Sequence, residues 1–196
     1  PEAIRCRNDI LARLERASLE PDADKRRRLL SFAIIGGGPA GVEVAGAIGE
    51  MKRYLLRREY PGISIDDVSV TLIEGTGRLL QAMDEQSSAH ALEYMGHLMV
   101  DVRLNALVKS YEDNTITFTD GTQMYSEMVI WTAGVKGIPF TFVGTQPQMA
   151  RGGRFEVDEF NRVAGLQDVY AIGDIASHSD ERYPRGCPQV AQVAIQ

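Results

Sequence analysis

The chain is poor in the residues that carry most side-chain redox and metal chemistry. It has two cysteines, Cys6 and Cys187, at opposite ends of the sequence. No C-x-x-C pair or metal-ligand spacing is formed, so neither a redox-active disulfide within the chain nor a structural zinc site is expected. Three histidines, His90, His97 and His178, show no ligand or triad spacing and read as structural or surface residues. No apolar run is long enough to span a membrane, and no signal peptide is evident. There is no basic surplus either. The net charge is −6 and the pI about 5.1, so nothing points to a nucleic-acid-binding surface. The basic cluster Lys25-Arg26-Arg27-Arg28 lies beside Asp22 and Asp24 and reads as a solvated helix face.

What is present is the composition of a soluble globular protein, with 44% hydrophobic and 24% charged residues over 196 positions. Residues 3–19 place Ile4, Ile10, Leu11, Leu14 and Ala17 at helical spacing. Pro21-Asp22 breaks that helix, and Asp22 or Asp24 caps a second one ending near Leu30. Residues 1–29 thus read as a helical connector. Phe32-Ala-Ile-Ile-Gly36 is a short apolar run, as expected of a buried parallel strand. Pro39 suits a first helical turn, and the helical pattern runs to about Arg58. Val68–Ile73 is the second strand, Glu85–His97 the next helix and Val100–Val102 the third strand. Leu107–Tyr111 and Thr115–Phe118 flank a hairpin turn, Asp120-Gly121 marks another, and Glu127–Trp131 returns to a buried strand with Trp131 in the core. The class is α/β: a Rossmann-like three-layer domain with a parallel sheet and a β-meander. Beyond it, Phe155–Val157 and Val169–Ile172 are expected strands. Both chain ends are expected to be cuts in a longer protein.

Gly36, Gly38 and Gly41 satisfy G-x-G-x-x-G between a strand and a helix. The first glycine permits a tight turn, the second close approach of the backbone to a diphosphate, and the third close packing of helix on strand. Pro39 and Ala40 open the helix, whose N-terminus presents free N–H groups and a positive dipole end. Glu74 closes the second strand, farther from Gly41 than the usual ~20 residues because of the long helix and the Tyr60–Asp67 loop. Its carboxylate suits both ribose hydroxyls of NADH and repels a 2′-phosphate. Arg78 leaves the NADPH alternative open.

Four segments, Gly36-Gly-Gly-Pro-Ala-Gly-Val-Glu43, Val129-Ile-Trp-Thr-Ala-Gly134, Tyr170-Ala-Ile-Gly-Asp174 and Pro188-Gln-Val-Ala-Gln-Val-Ala-Ile-Gln196, occur in this order. Together they resemble the two-dinucleotide-binding-domain flavoproteins (the pyridine nucleotide-disulfide oxidoreductase superfamily), and within them the type II NADH dehydrogenases. The resemblance implies an FAD domain interrupted by an NADH domain. Residues 30–146 would be the NADH domain and residues 147–196 a truncated C-terminal part of the FAD domain, without the first FAD glycine motif and the C-terminal membrane region. It implies an FAD-dependent NADH:quinone oxidoreductase in which hydride passes from NADH to flavin without a side-chain acid or base. In that frame Glu43 positions the nicotinamide, and Ala133 and Gly134 let the backbone run beside it. Gly173 and Asp174 would meet FAD, as would the N–H groups of Gln189 and Val190. Gln192 and Gln196, on one helix face, would border the quinone. The parent would be cytoplasmic and peripheral to the inner face of the cell membrane, and the resemblance also admits a homodimer. The competing readings are another NAD(P)H-flavoprotein reductase of the superfamily and, for the fragment alone, a non-catalytic NADH-binding module.

Overall fold

The computed structural model describes residues 2–134, 140, 142–150 and 152–181. They fall into two compact units, Pro1–Ala133 and Gly134–Gln196. The first begins with helices α1 (Glu2–Leu19) and α2 (Ala23–Leu29). Asp22 caps α2, its carboxylate accepting from the N–H groups of Asp24 and Lys25. Strand β1 (Ser31–Ile35) leads into α3 (Pro39–Glu50), a π turn (Met51–Leu55) and the short α4 (Leu56–Glu59). Then follow β2 (Ser69–Ile73), α5 (Glu85–His97) and β3 (Asp101–Arg103). An antiparallel meander of β4 (Val108–Glu112), β5 (Thr115–Phe118) and β6 (Gln123–Tyr125) precedes β7 (Met128–Trp131). Asp113 and Asn114, both with positive φ, close the β4–β5 hairpin, the conformation that a two-residue turn matching strand twist demands.

The parallel sheet has the order β3-β2-β1-β7. All five residues of β1 are buried, because both faces of the sheet are covered. Alternation along the strand sends Phe32 and Ile34 to one core with Leu14, Ala17, Leu29, Ala45, Ile48, Met95 and Leu98. Ala33 and Ile35 go to a second core with Ile73, Ile116 and Phe118. Helices thus cover one face and the meander the other, the three-layer arrangement expected from the alternating elements. Helices α1 and α2 supply side chains to the first of these cores.

Three local expectations are corrected. The helix from Pro39 to Arg58 is not uniform: it widens into the π turn, where Leu56 N–H donates to Met51 C=O. The wider turn keeps Lys52 and Leu56 under the same face as Ile48 and leaves Leu55 48% exposed. Trp131 is not core; it is 60% exposed. It ends the edge strand β7, and its indole N–H donates to Ala133 C=O at 2.8 Å. Residues 169–172 do not form a strand. Tyr170 makes one isolated bridge to Arg162, because Asn161 and Asp168 both turn left-handed and limit the pairing to single contacts.

In the second unit, β8 (Met149–Ala150) and β10 (Ala176–Ser177) flank β9 (Arg154–Glu156). Phe155 centres a small core with Val163 and Ala171, and Phe142 meets its ring edge-on at 5.7 Å. No helix among the described residues is long and apolar enough to cross a membrane.

One ion-pair cluster ties α2 to the loop before β2. Asp67, 6% exposed, accepts from Arg26 Nε at 2.8 Å and from Arg27 Nε at 3.2 Å. Hydrogen bonding from Arg26, with the charges of Arg26 and Arg27 behind it, holds the Asp67 carboxyl below the usual carboxylate range. A depressed pKa means that this contribution is complete above the unfolded-state value of about 3.9 and is lost as pH falls through the folded-state value. Asp67→Asn is therefore expected to cost about 1–3 kcal/mol at pH 7. Denaturant melts should show the gap between wild type and variant closing below about pH 3.9.

Candidate functional site

The residues singled out by the glycine pattern meet at the carboxyl ends of β1, β2 and β7. That edge is where the strand order reverses, with β2 on one side of β1 and β7 on the other, and open α/β sheets bind ligands in such a crevice. Three connections build it. The turn after β1 carries Gly36, Gly37 and Gly38 into α3. The turn after β2 carries Glu74. The exit from β7 carries Thr132 and Ala133.

Gly36 has φ +116°, a conformation that L side chains rarely adopt, and a Cβ there would sit 2.8 Å from the Ala133 nitrogen. Its N–H donates to Ile73 C=O at 2.8 Å, joining the turn to the end of β2. A Cβ on Gly41 would fall 1.8 Å from the Gly36 carbonyl oxygen, so α3 starts directly against the turn. Thr132 fastens the third side: its N–H and its hydroxyl both lie 2.9 Å from Ile35 C=O.

Gly38 is different. It is extended, and a Cβ built on it meets nothing within 4 Å. It is the N-cap of α3, no side chain caps the helix, and Pro39 at the first position has no N–H. The amides of Ala40 and Gly41 belong to the first turn, whose N–H groups have no partner within the helix. An open space beside Gly38 and free donors at a 12-residue helix form a cradle suited to an anion.

Glu74 stands against this cradle. Its Oε2 accepts from Gly37 N–H at 2.6 Å, and its Oε1 accepts from the N–H and the hydroxyl of Thr76, each at 2.8 Å. The glycine pattern assigns Gly37 no role, because the motif leaves its position free. A Cβ there would lie 2.9 Å from Glu74 Cβ and Oε2 and 2.7 Å from Leu79 Cδ2. The run of three glycines was the available signal. Thr132 lay inside the quoted segment Val129–Gly134 without a role of its own, and Thr76 carried no signal at all. Leu80 N–H donates to Gly37 C=O at 2.8 Å and holds the following loop to the turn. Arg78, considered for a 2′-phosphate, turns Nη2 to the carbonyls of Gln81 (2.9 Å) and Met83 (3.2 Å).

Glu43 lies exposed on α3, just beyond Gly41. Gly134 (φ +79°) is the first residue of the second unit. Within that unit Gly173 (φ +71°) and Asp174 form an exposed 3₁₀ turn, Gly173–Ile175. Gln189, Val190, Gln192, Gln196 and Cys187 lie outside the described residues. A separate apolar groove of about 690 Å³ runs along α1, α3 and β7 and includes Cys6, Val44, Met51 and Trp131. Burial raises the Cys6 thiol pKa, so the group stays protonated at neutral pH. No cluster of metal-binding side chains occurs among the described residues.

A parallel sheet with a glycine turn, an uncapped helix and a strand-end carboxylate at its reversal point defines a dinucleotide-binding fold. The chain belongs to the pyridine nucleotide-disulphide oxidoreductase family, whose pattern matches residues 6–196. It is 30% identical to the type II NADH:quinone oxidoreductase Ndh of Mycobacterium tuberculosis, over 100% of this chain and 42% of that protein. It is 32% identical to the mitochondrial internal alternative NAD(P)H-ubiquinone oxidoreductase A1 of Arabidopsis thaliana, over 87% of this chain and 33% of that one. Among solved structures, NDH2 from Plasmodium falciparum in complex with NADH superposes with a TM-score of 0.74 at 25% identity, over 90% of this chain and 38% of that one. The chain thus spans less than half the length of these relatives.

The two glycines separate stability from binding. Gly41→Ala drives a methyl into backbone and is expected to destabilise the fold by more than about 3 kcal/mol. Gly38→Ala, with open space and an allowed φ, is expected to stay within about 0.5 kcal/mol of wild type. Thermal melts of the two variants check both; equal losses would contradict this geometry.

Proposed function

We propose that this chain holds the NADH-binding part and an adjoining piece of the flavin domain of an FAD-dependent NADH:quinone oxidoreductase. The observation that carries the reading is the pairing of the open cradle at Gly38 with the carboxylate of Glu74 against Gly37. The family match and the relatives' printed activities support it. When bound, NADH supplies a hydride and FAD passes two electrons on to the quinone.

The chain's own residues bind and orient. The amides of Ala40 and Gly41, at the positive end of α3, hold the diphosphate where Gly38 leaves room. Glu74 accepts from the adenosine ribose, and its charge repels a 2′-phosphate, so NADH is preferred to NADPH. Glu43 projects from the same helix to set the nicotinamide, and the backbone at Ala133 and Gly134 runs beside that ring. Gly173 and Asp174, with the N–H groups of Gln189 and Val190, serve the flavin; Gln192 and Gln196 border the quinone. No proton transfer by a side chain is needed for the hydride step. Residues 30–146 form the NADH domain and residues 147–196 belong to the FAD domain. The whole protein works at the cytoplasmic face of the cell membrane by peripheral contact, as a monomer or homodimer.

Steady-state turnover of the full-length, FAD-loaded protein with NADH and a quinone tests the reading. Reduction of quinone with NADH well above that with NADPH is expected. Gly38→Ala should raise the KM for NADH at least about tenfold, the equivalent of about 1.4 kcal/mol, without lowering Tm. Turnover with NADPH alone, or with no quinone, would refute the assignment.

A further inference from the structure

The Glu74 carboxylate is nearly full before any sugar reaches it. A carboxylate has about four lone-pair positions, and three are taken by partners among the described residues. Two lie on Oε1, both from Thr76 at 2.8 Å, and one on Oε2, from Gly37 N–H at 2.6 Å. One acceptor position is left, on Oε2.

We propose that Thr76 is a positioning residue that fixes the Glu74 carboxylate so that this single position on Oε2 takes one hydroxyl of the adenosine ribose. The proposal rests on the dinucleotide reading above and adds to it how the sugar is gripped. A glutamate at a strand end has free side-chain torsions, and its terminal one is broad. The two Thr76 donors clasp one oxygen and Gly37 the other, so the plane of the carboxylate is set before binding. That preorganisation removes an ordering cost from association. The hydroxyl of Thr76 has a second acceptor, Arg78 C=O, at the longer distance of 3.2 Å. A single proton therefore goes to the shorter, charge-assisted bond to Glu74.

A purely structural role for the hydroxyl is disfavoured by the backbone. The turn carrying Thr76 is already pinned from the other side. Asn105 N–H donates to Thr76 C=O at 2.9 Å and Ala106 N–H to Glu74 C=O at 2.9 Å. Thr76→Val keeps these bonds, the Thr76 N–H and the β-branched shape, and removes the hydroxyl alone. Thr76→Ser keeps the hydroxyl and removes the methyl.

The test uses the full-length, FAD-loaded protein. Dissociation constants for NADH, NADPH and reduced nicotinamide mononucleotide, which lacks the adenosine half, are measured for wild type, T76V and T76S, with kcat and KM for NADH alongside. T76V is expected to weaken NADH about fivefold to tenfold, the larger figure equivalent to about 1.4 kcal/mol. The mononucleotide constant and kcat should not change, and the preference for NADH over NADPH should shrink by the same factor. T76S should return the NADH constant to within about twofold of wild type. An unchanged NADH constant in T76V, equal weakening of NADH and the mononucleotide, or no rescue by serine would each overturn the proposal. Wild-type protein that does not bind NADH at all would instead refute the dinucleotide reading, and this proposal with it.

Discussion

The approach of α3 to the glycine turn governs the whole carboxyl edge. With hydrogen at position 41, the first turn of the helix rests on the Gly36 carbonyl, where a methyl would lie 1.8 Å away. The closeness carries two further features. It aims the free amides of α3 at the reversal point of the sheet. It also brings the turn near enough to β7 that Gly36 must itself lack a Cβ, because Ala133 lies alongside. Three segments distant in sequence therefore meet with no side chain of the glycine turn between them. A diphosphate needs that thin, donor-rich surface, since backbone N–H groups reach it only where no side chain intervenes.

In the proposed reading, Glu74 turns this surface from a general anion cradle into one with a preference for an unphosphorylated ribose. Its charge is held by donors of the protein itself, through the amide of Gly37 and the two donors of Thr76. Hydrogen bonds to an ionised group are about twice as strong as neutral ones, so the acid is anchored as firmly as the turn it touches. Glycine turn and acid behave as one unit: any side chain at position 37 would push the carboxylate away. Arg78, which has the charge to favour a 2′-phosphate, is instead engaged by the carbonyls of Gln81 and Met83.

Much of this was legible in the sequence, because the signals are local. Proline at the first turn, a buried apolar run ending in glycine, and Asp22 as a cap mark where α2, β1 and α3 begin or end. The two sheet faces follow from strand alternation. What escaped depends on contacts between segments. Gly37 sits at a position the motif leaves free, and its importance comes from Glu74 and Leu79, both distant in sequence. Thr76 matters through two hydrogen bonds that no spacing predicts. Trp131 looked like core because an apolar strand usually ends in core, whereas β7 is an edge strand. Residues 169–172 resembled a strand by composition, but left-handed residues on either side permit only an isolated bridge. The π turn at Met51–Leu55 lies within an apolar spacing that reads as one continuous helix. The expected flavin and quinone residues between 189 and 196 lie outside the described residues.

The meander has a consequence for how such a chain varies. The β4–β5 tip at Asp113–Asn114 is tied by Ser126 N–H to Asn114 C=O, and Ser126 in turn donates to the carbonyl of Ser31, where β1 starts. The tip therefore lies at the amino end of the sheet, about 17 Å, the length of one strand, from the glycine turn. Extra residues spliced into that hairpin would lengthen a solvent-facing bend on the far rim. A lineage can thus change its outline, acquire a new attachment point or carry a fused tag there while the rim that holds the glycine turn keeps its backbone spacing.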